Sequence, residues 1–292
     1  MINDMNADEQ LILFRKMNRH DLCLMYITNN PEIAGIAEKH TVNRIFIDLE
    51  TIGKEERQGH VDSVKSKHYI SDVNKVKNAL TKAQLLVRVN PLYIGTKNEI
   101  DAIIERGADI VMLPMYKTMD EVNRFIDIVG GRAKTMMLCE TNEAANIVSE
   151  TASLDGVDEM FIGLNDLHLA RKMSFMFQLL SDGTVDYLCG KISERGVLYG
   201  FGGIAQLNIG MLPAHYIIAE HYRLGSTMAI LSRSFYDSNG TDELSFVEHL
   251  FAYGVKEIRS YEKEIKKESD DFFIKNHYFV IDKVNRIVNK WK

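Results

Sequence analysis

Eight short, mostly apolar runs recur along the chain, each bounded by polar residues: 21–28 (DLCLMYIT), 44–50 (RIFIDLE), 84–90 (QLLVRVN), 108–114 (ADIVMLP), 134–140 (KTMMLCE), 158–163 (DEMFIG), 197–203 (VLYGFGG) and 226–232 (STMAILS). Such runs read as strands buried on both faces. Between them the apolar spacing changes to three and four. Over 99–107, Ile100, Ile103 and Ile104 share a face and Gly107 falls where a C-terminal cap belongs. Over 120–131, Val122, Phe125, Ile126 and Val129 form one stripe ahead of two glycines, and 140–150 and 185–196 carry similar helical patterns. Strands alternating with helices predict a parallel sheet. Eight of them predict a closed (β/α)8 TIM barrel, with an open doubly wound sheet as the alternative, since periodicity does not encode closure.

No Gly/Ser-rich or Pro-rich linker divides the chain, so the expected organisation is one barrel over residues 1–236 and a helical extension over 237–292. The end of the extension places Ile281, Val284, Val288 and Trp291 on one stripe. Left in water, that stripe would be a continuous apolar strip, which calls for cover by the chain's own barrel or by a second subunit.

Candidate chemistry collects at the ends of the runs. Glu140 closes one run and Asp166 follows the next, 26 residues later, about one strand–helix–strand step. Parallel neighbours would put both at the C-terminal edge of the sheet, where α/β folds keep their chemistry. Adjacent carboxylates repel unless a proton or a cation lies between them, and an oxygen-rich pair suits Mg²⁺ or Mn²⁺. Capping of the following helices accounts for the two acids without any metal. Asp48 and Glu50 end the second run. Arg88, near the end of a buried strand, must be paired, either with Asp48 or Glu50 or with a substrate oxygen beside a metal. In Gly163-Leu164-Asn165-Asp166, a glycine meets a helix start whose free N–H groups suit an anion. The long polar stretch 51–72 directly follows Glu50 and reads as a functional loop or a solvated one.

Other features carry less. His168 reads as a supporting or surface histidine, and His215 and His221 lack the HExxH spacing. Gly200-Phe201-Gly202-Gly203 is no dinucleotide fingerprint. Cys139 points to the face opposite Glu140. With 41 acidic and 35 basic residues the net charge is −6, which argues against a nucleic-acid partner. Three scattered cysteines without CxxC, no signal-like N-terminus and no long apolar span predict a reduced, cytoplasmic chain with no membrane partner.

Taken in order, FIDLE (46–50), LLVRVNP (85–91), GADIVMLPM (107–115), CET (139–141) and MFIGLNDLHLA (160–170) resemble the HpcH/HpaI aldolase and citrate lyase β-subunit family, over roughly residues 20–235. The resemblance implies a (β/α)8 fold and C–C bond cleavage or formation. A divalent metal would stabilise the enolate of a small α-keto acid, such as pyruvate or oxaloacetate, or of an acyl thioester. By the same resemblance Glu140 and Asp166 are metal ligands, and Arg88 faces the substrate carbonyl and enolate oxygen. Glu50 contacts metal-bound water, with Asp48 as a further catalytic residue beside Arg88. Gly163, Leu164, Asn165 and Asp166 receive the substrate carboxylate. A homo-oligomer built through C-terminal helices is implied as well. Two positions depart from the pattern: Thr51 stands where pyruvate aldolases carry a histidine, and Met115 where citrate-lyase relatives carry a lysine. His60 and His68 are candidates to replace the missing proton-transfer group. The departures keep open a barrel that binds a keto acid or a protein without turnover, or a different enolate reaction.

Overall fold

The structure, a computed structural model, describes residues 20–54, 67–232, 235 and 243–291. Eight parallel strands close into a barrel in sequence order: β1 (Cys23–Ile27), β2 (Arg44–Asp48), β3 (Gln84–Arg88), β4 (Ile110–Leu113), β5 (Lys134–Cys139), β6 (Glu159–Ile162), β7 (Leu198–Ile204) and β8 (Met228–Leu231). Closure, which the sequence left open, comes from β1 pairing with β8 in the register Cys23↔Met228 through Tyr26↔Leu231. Each strand coincides with one of the eight apolar runs.

The outer layer is α1 (Pro31–Lys39), α2 (Ile70–Ala79), α3 (Thr96–Glu105), α4 (Met119–Val129), α5 (Asn142–Asn146), α6 (Val148–Thr151), α7 (Leu164–Ala170), α8 (Gln178–Ser181), α9 (Thr184–Ser193) and α10 (Ala214–Leu224). The extension forms α11 (Leu244–Ile265) and α12 (Asp270–Asn289). Strand alternation sorts the side chains into two cores. Met25, Phe46, Leu86, Ile110, Met112, Met136, Leu138, Phe161 and Met228 fill the barrel. Their neighbours in sequence, such as Ile45, Ile47, Val87, Met137 and Cys139, pack under the helices. Cys139 thus faces outward as expected, and burial pushes its thiol up to about 12.

The N-terminal end of the barrel is closed by charge. Arg44 of β2 reaches across to Glu159 of β6, with Nη2 donating to Oε1 at 2.7 Å, Nη1 donating to Oε2, and Nε donating to Gln84 Oε1 at 3.1 Å. Both side chains are almost fully buried. A planar guanidinium and a carboxylate meeting through two parallel bonds make the pairing that best compensates such desolvation.

His221 of α10 lies behind the sheet, stacked on Phe201 with ring centroids 3.8 Å apart, and its Nδ1 pairs with Ser226 Oγ at 2.7 Å. Burial lowers its pKa from 6.5 to about 3, so the folded protein holds it neutral. The unfolded chain binds that proton first as pH falls. This stability is therefore complete above pH 6.5 and is lost on acidification towards pH 3. Urea titrations should show wild type losing about 1.4 kcal/mol per pH unit below that point relative to His221→Asn. Parallel curves for the two proteins would refute this assignment.

Helices α11 and α12 lie against the chain's own barrel, α11 beside α1 and α10, and α12 across α8 and α10. The buried face of α12 is Phe273, Asn276, Val280 and Val284. Of the expected stripe, Val284 is inside and Val288 half-buried against the core, while the Trp291 ring meets Phe175 edge-on at 5.5 Å. That stripe is thus covered within the chain only in part: Val284 and Val288 pack on the core, while Trp291 stays 49% exposed. No helix among the described residues is long and apolar enough to cross a membrane.

Candidate active site

At the C-terminal rim, β2 and β3 run side by side with Asp48 opposite Arg88. Parity turns Asp48, Arg88, Glu50 and Glu140 the same way as the interior residues Phe46, Leu86 and Leu138, into the mouth. Arg88 donates from Nε to Asp48 Oδ1 at 2.9 Å and from Nη2 to Oδ2 at 2.8 Å, while Nη1 stands 3.3 Å from Glu50 Oε2. Its guanidinium lies 5.7 Å from the Phe46 ring centroid. The ion pair anticipated for Arg88 is therefore present with both acids at once. Burial works against the Arg88 charge, but Asp48, Glu50 and Glu140 more than offset it and hold the guanidinium protonated. Burial likewise opposes the Asp48 charge, yet Arg88 and Lys54 keep that carboxyl well below the usual range.

Glu140 follows β5 directly and is 2% exposed. Its Oε1 accepts the Met115 N–H at 3.2 Å, a bond that comes from a residue held at φ +56°. Opposite lies Gly163, where an added Cβ would stand 2.8 Å from Glu140 Cβ and 2.9 Å from Oε2. Only a glycine leaves that carboxylate room. Asp166 sits in the first turn of α7, which begins just past Gly163. Leu164 and Asp166 are buried, the acid 9% exposed, while Asn165 between them is exposed. Burial first, then Asp166 and Glu50, raises the Glu140 carboxyl to about 8 against the pull of Arg88.

Four carboxylates thus crowd a mouth with two cations, Arg88 and Lys54, on the Asp48 side. Among the described residues no group of three or more His, Cys, Asp or Glu is placed to hold a metal ion. A pair of carboxylates with oxygen donors and open positions fits a hard cation such as Mg²⁺, which is commonly bound by one or two carboxylates, substrate and water. The residues present fit that group.

The sequence placed Asn90 among the polar strand ends without giving it a role, and it did not single out Lys54 or the Met115 N–H. Asn90 Oδ1 accepts from Thr51 N at 2.8 Å, Thr51 Oγ1 at 3.2 Å and Ile52 N at 3.0 Å, clamping the chain as it leaves β2. Lys54 then folds back onto Asp48 Oδ2. The direction of this turn depends on Asn90, which follows the next strand, β3. Of the two candidate histidines, His60 lies outside the described residues. The Nδ1 of His68 accepts the Asp48 N–H at 3.0 Å, in the place where β1 would have continued the ladder, and burial lowers its pKa. His168 makes a contact within its own helix, Nδ1 to Leu164 O at 3.2 Å.

A closed parallel barrel with acids and an arginine at its C-terminal mouth defines a (β/α)8 enzyme. A family model described as HpcH/HpaI aldolase/citrate lyase matches residues 23–174, just over half of the chain. The chain belongs to the HpcH/HpaI aldolase/citrate lyase family and is an enzyme of its carbon–carbon lyase type. Among solved structures it is similar to an HpcH/HpaI aldolase from Desulfitobacterium hafniense DCB-2, with a TM-score of 0.57 and 15% identity over 85% of this chain and 96% of that one. Citrate synthase SbnG aligns with a TM-score of 0.57 and 15% identity, covering 86% of this chain and 98% of that one. Macrophomate synthase aligns with a TM-score of 0.54 and 12% identity, covering 77% and 82%. At these identities the likeness concerns the fold. No curated protein matches the chain.

Proposed function

We propose that this enzyme makes or breaks a C–C bond through the enolate of a small α-keto acid, with a divalent metal held by Glu140 and Asp166. The acyl thioester adduct is the second substrate class considered. The observation that supports the reading best is the buried Glu140 carboxylate, set against Asp166 and Glu50 and raised despite the Arg88 charge. When bound, the metal supplies a Lewis acid for the keto and carboxylate oxygens. Arg88, fixed by the Asp48 fork, presents a preoriented positive charge to the oxygen on which enolate charge develops. Asp48 acts through Arg88, as a positioning residue. Glu50, 3.3 Å from Arg88 Nη1 and close enough to Glu140 to raise its carboxyl, would accept from metal-bound water. The backbone from Gly163 to Asp166, with the Asn165 side chain, is proposed to receive the substrate carboxylate.

The test is solvent deuterium entering the methyl group of pyruvate. Exchange should require Mg²⁺ or Mn²⁺ and stop with a chelator. Absence of exchange and of oxaloacetate turnover under all metal conditions would leave a barrel that binds without reacting.

The three cysteines are free thiols, which supports a reducing, cytoplasmic setting. A homo-oligomer also remains our reading. Its support is the resemblance together with outward aromatic residues of the extension, Phe246, Tyr253 and Tyr278, which are 49%, 60% and 68% exposed. Full-length protein should scatter light as more than one subunit at micromolar concentration. Truncation after Tyr236, which strips Phe273, Val280 and Val284 from α10, should give insoluble protein. A full-length monomer would overturn the assembly.

A further inference from the structure

Addition of an enolate to a carbonyl leaves an alkoxide, and the product forms only when that oxygen gains a proton. Few groups at the mouth have one to give. Asp48 is held ionised by Arg88 and Lys54, and Arg88 is held protonated by its acids. Glu140 and Asp166 are committed to the proposed metal. The Thr51 hydroxyl donates to Asn90, and His68, whose Nδ1 accepts the Asp48 N–H and whose pKa burial lowers, holds its proton on Nε2 as a neutral imidazole, a very weak acid. Lys54 remains among the described residues.

The surroundings of Lys54 are built. Its side chain is 15% exposed, and its ammonium rests on Asp48 Oδ2, the oxygen that also accepts from Arg88 Nη2. One of its three N–H donors meets Asp48, and among the described residues the other two meet no acceptor. The turn that returns it is fixed at three points by Asn90, and Asn90 is itself held by Glu99, its Nδ2 donating to Oε1 at 2.9 Å. Gly53 supplies the left-handed step of that turn at φ +73°. A lysine serving only solubility requires none of this. We propose that Lys54 is the proton donor of the site, placed by Asp48 beside Arg88 to protonate the alkoxide of an aldehyde or ketone acceptor.

This inference rests on the enolate reading above. In the addition direction the enolate carbon bonds to the carbonyl carbon, the C=O pair moves to oxygen, and that oxygen takes a Lys54 proton. Solvent water then returns a proton to the amine. In cleavage the neutral amine removes the hydroxyl proton, the O–H pair closes the C=O bond, and the C–C pair passes into the enolate. The group fills the chemical place that Thr51, which has no titratable proton, leaves open.

Full-length, Mg²⁺-loaded protein tests it, comparing decarboxylation of oxaloacetate, which forms an enolate but no alkoxide, with addition of pyruvate to C1–C4 aldehydes. In Lys54→Arg and Lys54→Ala the ratio of addition to decarboxylation should fall about 10²-fold or more, the range of general acid catalysis. The arginine keeps the ion pair with Asp48 but does not release its proton, so it separates proton donation from a structural role. Ethylamine should restore addition to the alanine variant in proportion to its concentration. The Lys54 ¹⁵N resonance, assigned by its loss in Lys54→Arg, should shift when oxalate, an enolate mimic, is added. A wild-type ratio in the arginine variant, an alanine variant indifferent to ethylamine, or a resonance indifferent to oxalate overturns the proposal. Wild type that decarboxylates oxaloacetate but adds pyruvate to no aldehyde overturns it too, while sparing the enolate reading. Wild type inactive in both reactions and in deuterium exchange sinks both.

Discussion

Glu140→Gln and Asp166→Asn should each fold normally and bind Mg²⁺ or Mn²⁺ more than about 100-fold more weakly in calorimetry, beyond what loss of an outer hydrogen-bond partner causes. The two substitutions have opposite expected side effects from those of a structural acid. The Glu140 carboxylate is buried beside Asp166 and Glu50, and burial with their charges raises it to about 8. Metal-free protein at neutral pH therefore binds a proton there on folding, at a cost that the neutral amide does not incur. The Glu140→Gln protein should melt no lower than wild type without metal and gain little from added metal, whereas wild type should be stabilised by it. Unchanged affinity in both variants would remove the metal assignment. Glu140 would then keep only its bond from the Met115 N–H, since Thr141 caps α5, and Asp166 would be a first-turn acid of α7.

Arg88→Lys should lower turnover by about 10²-fold or more, the scale of one lost oxyanion-type contact. Lysine keeps the positive charge between Asp48 and Glu50, so both acids stay compensated and melting should move little. What disappears is the fork. Nε and Nη2 meet the two Asp48 oxygens at 2.9 and 2.8 Å, and this fixes the plane in which Nη1 is presented. A flexible ammonium holds no such plane. A strongly destabilised protein with normal specific activity would give Arg88 a structural role alone.

The strands were legible because each is buried on both faces, so its residues form an unbroken apolar run wherever it sits in the barrel. Rim residues were legible for a related reason: a charged group at the end of such a run has one place to go. Closure was not legible, because the β1–β8 pairing joins runs at opposite ends of the sequence. Glu159 looked like the polar flank of its run, yet parity with Phe161 turns it inside to meet Arg44. Lys54 lies in a polar stretch without a period, and its return to the rim depends on Asn90 of another strand end. Residues 140–150, one helix by pattern, form two, α5 and α6, joined at Ile147. On α12 two overlapping stripes satisfy the same spacing, and the one through Phe273, Val280 and Val284 faces the barrel.

The Arg44–Glu159 closure carries a consequence for the order of events. A barrel packed with side chains and closed at its far end is a shallow vessel open only at the rim, so both reactants of the proposed chemistry pass the same rim. Whatever seats against Arg88 and Glu140 must be loaded before the partner that rests above it, and it must leave afterwards. Turnover should then be compulsory-order, with the outer reactant in excess jamming the vacant vessel and slowing the enzyme that it feeds.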